Sequence, residues 1–436
     1  MTNTYTLKES AVDLWLNVVV GIRTGEWSYC DTIMKNVGGG NMRIKELRIN
    51  HFKSIFDLSI CPGNVNVIIG SNGAGKSSFL EGIGLLSAAV YERVNDVALQ
   101  NRGVRLGVPG LYKSSFKKSI ERTLTIHLGV KWESQLGNWE YNINLHNPDK
   151  NPEPDWQIHS EVLKLNDKQR LGRSNRSKNY SEVDKYRSLY SFLYGTQDKR
   201  VNGAESLYDA IKNYGIYAPN TSTLQGIQAD TSQRDPLGLF GGRLAESLVL
   251  LLKEDKFGTI SIDDLLEVLD WVEAMKIGKP SKEIISPSVP TMHQIIKFKD
   301  KYMREKNNIL TAYDASEGTL YVLFLLALAM HEKAPKIFAL DNFDQALNPR
   351  LAKQVIKMFS EIIINAGKTV FVTTHNPLVL DGLNLLDERI RLFAMSRDQN
   401  GFSMMKRIEI SEYMYEKEPL SRLWVTGRLG GVPEYL

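Results

Sequence analysis

Eight residues early in the chain have the types and the spacing of a phosphate-binding loop. Glycines let such a loop curl until backbone N–H groups point at phosphates, a lysine reaches the β- and γ-phosphates, and a hydroxyl ligates Mg²⁺. The strand-like run 64–69 precedes the loop, and residues 77–94 predict a helix whose positive N-terminal end faces the same anion. The sequence therefore predicts a nucleoside-triphosphate site. The residues that fit the pattern G-x-x-x-x-G-K-[ST], with one more hydroxyl after it, are Gly70, Ser71, Asn72, Gly73, Ala74, Gly75, Lys76, Ser77 and Ser78.

Two buried strands farther along the chain end in polar residues suited to the same chemistry. Residues 336–341 end in Asp341, a carboxylate placed to hold the hydration shell of the Mg²⁺. Residues 368–374 deliver His375 to the carboxyl edge of a parallel sheet, where ligands bind in open α/β folds. We expect His375 to hydrogen-bond a γ-phosphate.

A short polar segment before a nearly all-apolar run predicts a second anion-binding helix end. Ser316, Glu317 and Gly318 precede the run 321–330, which reads as a buried helix capped by Ser316 or Thr319. In its order of P-loop, Ser-Glu-Gly helix, Asp-ending strand and His-ending strand, the chain resembles an ABC-type ATPase head of the SMC/RecF/OLD superfamily.

The resemblance covers about residues 42–398. It begins at the opening strand 42–54, and it takes Ser316-Glu317-Gly318 as the signature motif, 347–349 as the D-loop and 374–377 as the switch histidine loop. It implies an α/β fold, a mixed and parallel sheet flanked by helices, with an inserted α+β lid and no long coiled coil. The expected domains are an extension 1–41, head lobe I 42–96, strands and helical lid 97–310, head lobe II 311–398, and a tail 399–436.

Within the lid, two segments alternate like strands and two have helical periodicity. The strand-like segments are 124–130 and 139–145. The segments 260–275 and 292–310 read as amphipathic helices.

The resemblance also implies ATP and Mg²⁺ as ligands and a head-to-tail homodimer or higher homo-oligomer. Each ATP would lie between the P-loop of one subunit and the signature of the other, so that Ser316 and Gly318 meet the γ-phosphate in trans. Ser77 and Asp341 would hold the metal. Gln100 is either the glutamine that senses Mg²⁺ in such heads or a residue of a polar loop.

One position departs from the pattern of these heads. A glutamate that activates the attacking water usually follows the Walker B aspartate, but here Asn342 stands in that place, and an amide cannot take the proton. Loss of a general base costs on the order of 10²–10⁴ in rate. We expect slow turnover unless Asp344 or a partner residue substitutes; alternatively, the chain hydrolyses ATP by way of His375.

A polar stretch at 167–187 interleaves cations with tyrosines and reads either as a groove for nucleic acid or as a solvated loop. The cations in this stretch that are candidates for contacts with nucleic acid are Arg170, Arg173, Arg176 and Lys178.

Lys53 is predicted either to contact the nucleotide or to be a surface lysine, and the surface position is slightly favoured.

Composition excludes several classes of protein. The chain has 436 residues, 42% of them hydrophobic, and no apolar run near the roughly 20 residues that cross a bilayer. Two cysteines without metal-ligand spacing argue against a disulfide framework and favour a cytoplasmic protein. The net charge of +4 permits a local basic face without arguing for one.

The two ends of the chain carry separate expectations. Residues 1–41 are either an artefact of an upstream start or a docking element around 14–22, and the segment 420–433 packs on the head or on a partner. The roughly 60 residues after His375 are too few for the Toprim nuclease domain of OLD proteins.

Heads with a compact lid and no nuclease resemble the ATPase subunits of anti-phage systems such as Septu and PARIS. That resemblance implies a sensor and scaffold that controls a separately encoded nuclease or toxin. The alternatives are a RecF-like DNA-repair ATPase and a lid that binds a protein trigger without nucleic acid.

Overall fold

The computed structural model describes most of the chain from Met42 onward. The residues it describes are 42–117, 125–174, 184–232, 234–253, 269–281, 284–286, 289, 294–411, 413 and 417–431. The predicted extension 1–41, the candidates Arg176 and Lys178, and the segment 260–268 lie outside them.

The phosphate-binding loop follows the central part of a six-stranded sheet with the order β15-β14-β3-β13-β12-β8. Five of these strands run parallel, and β15 pairs antiparallel with β14 at one edge. Because β3 lies between β13 and β14, its carboxyl end meets the ends of both neighbours. The strands are β3 Val65–Gly70, β8 Ile216–Tyr217, β12 Ile337–Leu340, β13 Thr369–Thr373, β14 Ile390–Arg397 and β15 Ser403–Ile408.

A second six-stranded sheet is antiparallel throughout, with the order β2-β1-β4-β5-β6-β7. The opening strand β1 pairs directly with β4, so strands on both sides of the P-loop segment form one sheet. The strands predicted at 124–130 and 139–145 are confirmed as β4 and β5. The strands are β1 Arg43–Phe52, β2 Ile55–Ile60, β4 Thr125–Ser134, β5 Gly137–His146, β6 Gln157–Leu165 and β7 Lys168–Ser174.

The predicted helix at 292–310 is wrong. The chain there forms β10 and β11 of a third, three-stranded sheet with the order β11-β10-β9. The strand β9 includes the end of 260–275, the other segment predicted to be helical. β-branched and aromatic residues at alternate positions of β10 fit a half-buried strand as well as a helix face, and pairing with β9 and β11 decides the outcome. The strands are β9 Val272–Gly278, β10 Ile295–Asp300 and β11 Ile309–Thr311.

Helices cover both faces of the parallel sheet. The longest described helix has 17 residues, so the described residues contain no long coiled coil, as predicted. None of the described helices is long and apolar enough to cross a membrane. The helices are α1 Lys76–Tyr91, α2 Asp96–Gln100, α3 Pro109–Tyr112, α4 Leu189–Gly195, α5 Glu205–Ile211, α6 Thr221–Leu224, α7 Leu244–Lys253, α8 Glu317–Met330, α9 Pro349–Asn365, α10 Pro377–Leu380 and α11 Leu420–Val425.

Alternate residues of β3 face two different cores. Val65, Val67 and Ile69 pack with α8 and α9, whereas Ile68 packs with α1 and the antiparallel sheet. A strand buried on both faces reads as a continuous apolar run, which is why the sequence shows it so clearly. The strand β8 lies inside the range predicted as a lid, yet it pairs with β12 of the parallel sheet.

A buried lysine closes the end of helix α8. The ammonium of Lys368 donates to the carbonyl oxygens of Leu328 and His331, at 3.1 and 3.0 Å, where the last helical carbonyls lack helical partners. Lys368 is 5% exposed, and burial lowers its pKa to about 7.

This lysine makes the free energy of unfolding depend on pH. Between the folded pKa near 7 and the ordinary value of 10.5, the unfolded chain binds one more proton, so stability rises with pH. We expect wild type to gain about 2 kcal/mol more than Lys368→Met between about pH 7 and pH 9 in urea denaturation. The exposed Lys353→Met is the control and should follow wild type. Parallel pH dependence of wild type and Lys368→Met would contradict the assignment.

Candidate nucleotide-binding site

The P-loop has the backbone that phosphate binding requires. Gly70, Gly73 and Gly75 have φ values of 153°, 77° and 115°, and Gly75 forms the N-cap of α1. These angles suit glycine, because residues that carry a Cβ rarely adopt positive φ. The ammonium of Lys76 donates to the carbonyls of Gly70 (2.7 Å) and Ser71 (3.1 Å), which holds the lysine inside the loop. Burial lowers the pKa of Lys76, and the charge of Asp341 opposes that shift.

The aspartate after β12 meets the P-loop. Ser77 Oγ donates to Asp341 Oδ2 at 3.2 Å, and Thr373 Oγ1 donates to Asp341 Oδ1 at 2.5 Å. The described residues contain no cluster of three or more His, Cys, Asp or Glu side chains placed to hold a metal. A hydroxyl and a carboxylate alone fit Mg²⁺, which keeps several waters and takes its other oxygens from phosphates. Bound there, Mg²⁺ would neutralise phosphate charge.

Asn342 lies directly beside this pair in the left-handed region of the backbone, with φ of 59°. Asparagine tolerates that conformation better than most residues. Its N–H donates to Thr373 Oγ1 at 2.9 Å, so Thr373 positions both Asp341 and Asn342. Thr373 is fully buried, and its place at the end of β13 is the one feature of the sequence that points to its role.

The carboxylate of Asp344 is committed to the switch histidine loop. Its Oδ1 accepts from the hydroxyl of Thr374 at 2.6 Å and from the backbone N–H of His375 at 3.1 Å. These bonds make Asp344 a residue that positions His375. Burial and the charge of Lys76 lower the pKa of His375, while Asp344 and Asp341 oppose the shift. The imidazole is therefore neutral near pH 7 and has one N–H to donate.

The Ser-Glu-Gly segment begins α8 as expected. Ser316 is the N-cap and accepts from the N–H of Thr319 at 3.2 Å. Gly318 lies close to the residue that precedes the D-loop, because a Cβ there would lie 3.0 Å from the carbonyl oxygen of Ala346. Glu317 lies in the first turn of the helix.

A buried carboxylate next to the P-loop binds two cations, and sequence reasoning missed it. Glu81 is 2% exposed and lies one helical turn after Ser77. Its oxygens accept from Lys53 at 2.5 Å and from Arg105 Nε at 2.6 Å. Hydrogen bonding to Glu81 raises the pKa of Arg105, and the charge of Asp341 adds to that shift. Lys53 lies at a turn, as in the surface reading, but its side chain is only 20% exposed and pairs with Glu81.

Residues from the far end of the chain also support the P-loop. Arg397 Nε donates to the carbonyl of Gly73 at 2.7 Å, and Ser403 Oγ donates to that of Ala74 at 2.7 Å. No motif marks these two residues; only the pairing of β14 and β15 brings them to the loop.

Gln100 is the exposed last residue of α2, and its backbone carbonyl accepts from Gly103. None of the hydrogen bonds within the described residues joins its side chain to Ser77 or Asp341.

The structure corrects part of the candidate nucleic-acid groove. Arg173 is 8% exposed and donates to the carbonyls of Asp184 and Arg187, so it cannot contact a phosphate without leaving the fold. Arg170 is exposed but donates to the carbonyls of Lys199 and Arg200. Both cations hold loops against β7.

Ion pairs balance the charge on the antiparallel sheet itself. Arg48 and Lys131 both approach Glu46, and hydrogen bonding to Arg48 is the largest cause that lowers the Glu46 pKa to about 2. Glu140 pairs with Arg48 and Lys164. Because charges of both signs alternate across β1, β4, β5 and β6, these strands do not form the continuous basic face that is typical of nucleic-acid binding.

Comparison with known proteins places this geometry in a family. Residues 65–381 match the family model described as an AAA domain, putative AbiEii toxin, type IV toxin–antitoxin system. The match spans the P-loop, the signature helix, Asp341 and His375. The chain belongs to this family. The AAA-domain match ends at Asp381, so β14, β15 and α11 lie beyond it.

Solved structures show the fold of this AAA-domain chain. An SMC head bound to the C-terminal winged-helix domain of ScpA covers 85% of the chain and is itself covered completely, with a TM-score of 0.53 and 12% identity. The SMC head of Thermotoga maritima covers 84% of the chain and is also covered completely, with a TM-score of 0.44 and 14% identity. The likeness to the ScpA-bound head gives the chain the fold of an SMC-like ABC-type ATPase head, as predicted.

A curated relative matches over a short region. The DNA double-strand break repair Rad50 ATPase of Saccharolobus solfataricus is 38% identical over 81 residues, which is 18% of this chain. The chain spans only 9% of that relative's length.

Thr373→Val tests the support of Asp341. The valine keeps the volume but removes the hydroxyl that donates to Asp341, and loss of such an outer partner weakens metal binding by about 10–100-fold. We expect a higher Mg²⁺ requirement for nucleotide binding, measured by Mg²⁺ titration with a fluorescent ATP analogue. Thr369→Val, at the start of the same strand, is the matched control. Equal Mg²⁺ dependence in the two variants would show that Thr373 does not position the metal ligand.

Proposed function

We propose that this protein is an ATP-binding, slowly hydrolysing ATPase that dimerises around ATP and controls a separately encoded effector of an anti-phage defence system. The observation that carries the proposal is the meeting of the P-loop and Asp341 beside Asn342. Ser77, Asp341 and Thr373 form a connected set of hydrogen bonds. Asn342 itself has no group that takes a proton from water.

Slow hydrolysis suits a protein that waits in one nucleotide state. The ATP-bound form would persist, and release of the γ-phosphate contacts would switch the protein. In the proposed head-to-tail dimer, the exposed N-terminus of α8 meets the γ-phosphate across the interface, with Ser316 at its N-cap. Gly318 lies close to Ala346, directly before the D-loop, so the γ-phosphate contact would reach the D-loop of the same subunit through this residue.

Two observations support a defence role. The family description names a putative AbiEii toxin of a type IV toxin–antitoxin system. The charge balance of the antiparallel sheet and the buried position of Arg173 weigh against a DNA groove on this sheet.

The short Rad50 match favours DNA repair as the second candidate. Such a protein would bind DNA as an ATP-gated clamp, with an affinity that falls steeply as salt rises.

Asn342→Glu tests the cause of slow turnover. The carboxylate supplies a general base, and we expect turnover to rise by at least about tenfold. Asn342→Gln, which lengthens the side chain without adding a base, is the control for strain at this left-handed residue. Steady-state phosphate release measures both. If the glutamate variant is no faster than the glutamine variant, the missing base does not limit the rate.

Phage plating efficiency tests the cellular role. Cells carrying the gene with its native neighbours should be protected, and Lys76→Ala should abolish protection because it removes the cation that reaches the β- and γ-phosphates. Lys353→Ala, at an exposed position of α9, should protect like wild type. Absence of protection against a broad phage panel would favour the DNA-repair function, and salt-dependent DNA binding would then be measured.

A further inference from the structure

The segment beyond the family match contacts both sides of the nucleotide site. Helix α11 packs on α10, which begins two residues after His375. Its apolar side chains Leu420, Leu423 and Trp424 are buried in the same core as α10. The chain then continues to the P-loop, which follows β3, the strand beside β13.

A carboxylate fixes α11 to the switch histidine segment. Asp381, directly after α10, accepts from the backbone N–H of Ser421 at 2.8 Å and from its hydroxyl at 2.7 Å. The N-cap of α11 is Pro419, which makes no side-chain capping bond. Asp381 therefore supplies the acceptor that the first turn of α11 needs.

Two glycines after α11 bring the chain against Gly70, the first residue of the P-loop. Gly430 and Gly431 both have φ of 73°. A Cβ added to Gly431 would lie 3.3 Å from the Cα of Gly70 and 3.6 Å from its nitrogen. Gly70 is confined by β14 as well, because a Cβ on Gly70 would lie 2.3 Å from the carbonyl oxygen of Met395.

The position of Gly70 matters for binding because its carbonyl accepts from the ammonium of Lys76 at 2.7 Å. A displacement of Gly70 therefore moves both the loop and the lysine that reach the phosphates. Displacements of about 1 Å that arise far from the reacting atoms lower catalytic rates by up to about 10²-fold.

We propose that α11 together with residues 429–431 forms a C-terminal strap that positions the P-loop relative to the switch histidine loop. Gly431 is a positioning residue that acts through Gly70 on Lys76. The strap rests on the proposed function, because the site that it positions is the ATP site. It lies outside the family match and is therefore a feature that the family description does not cover.

The chain supplies a matched control for the contact of Gly431. Gly427 also has a positive φ, 78°, but a Cβ there would meet nothing within 4 Å. Asparagine tolerates this backbone better than most residues, so Gly431→Asn and Gly427→Asn carry similar backbone strain. They differ in whether the new side chain meets the P-loop.

The experiment measures the affinity of the full chain for a fluorescent ATP analogue with Mg²⁺, beside thermal unfolding without nucleotide. We expect Gly431→Asn to weaken binding by about tenfold. Gly431→Ala should weaken it less, because one methyl requires a shift of only a few tenths of an ångström. Both substitutions at Gly427 should bind like wild type. General destabilisation does not produce a graded loss of affinity in the Gly431 variants together with unchanged affinity in the Gly427 variants.

The outcomes separate the two proposals. If wild type does not bind the analogue, the proposed function fails. If wild type binds and the matched variants bind equally well, the strap is overturned while the proposed function stands. Should Gly431→Asn fail to fold, the pair Gly431→Ala and Gly427→Ala carries the test with the same criteria.

Discussion

The carboxylate of Asp341 is the point on which the site depends. Its two oxygens accept from Ser77 at the start of α1 and from Thr373 at the end of β13, while Asp341 itself follows β12. One side chain thus joins the ends of three structural elements. Because these hydrogen bonds involve a charged acceptor, they are stronger than neutral ones and hold the elements at a fixed spacing.

The order of strands makes this arrangement possible. β3 lies between β13 and β14, so the P-loop emerges beside the switch histidine strand on one side and beside Arg397 on the other. All these strands run parallel, and their carboxyl ends lie at one edge, where ligands bind in such sheets. Apolar packing on both faces of β3 keeps that edge in place.

Charge is distributed differently in the two large sheets. At the nucleotide edge, the buried Glu81 holds Lys53 and Arg105 close to the P-loop, where their charges favour an anion. On the antiparallel sheet, acidic partners neutralise the cations. Two cations thus share one buried carboxylate beside the P-loop, whereas the antiparallel sheet pairs cations and carboxylates on neighbouring strands.

The sequence by itself determined the P-loop, the buried strands β3, β12 and β13, and the capped helix α8. Those elements are coded locally, by glycine at positive φ, by continuous apolar runs and by an N-cap serine. Only the tertiary structure decided the partners of Asp341 and Asp344, the clamp at Glu81, and the contact of Gly431 with Gly70. These contacts join residues up to several hundred positions apart, and no local pattern carries them. The failure at 292–310 has the same reason: strand pairing overrode a periodicity that fitted a helix equally well.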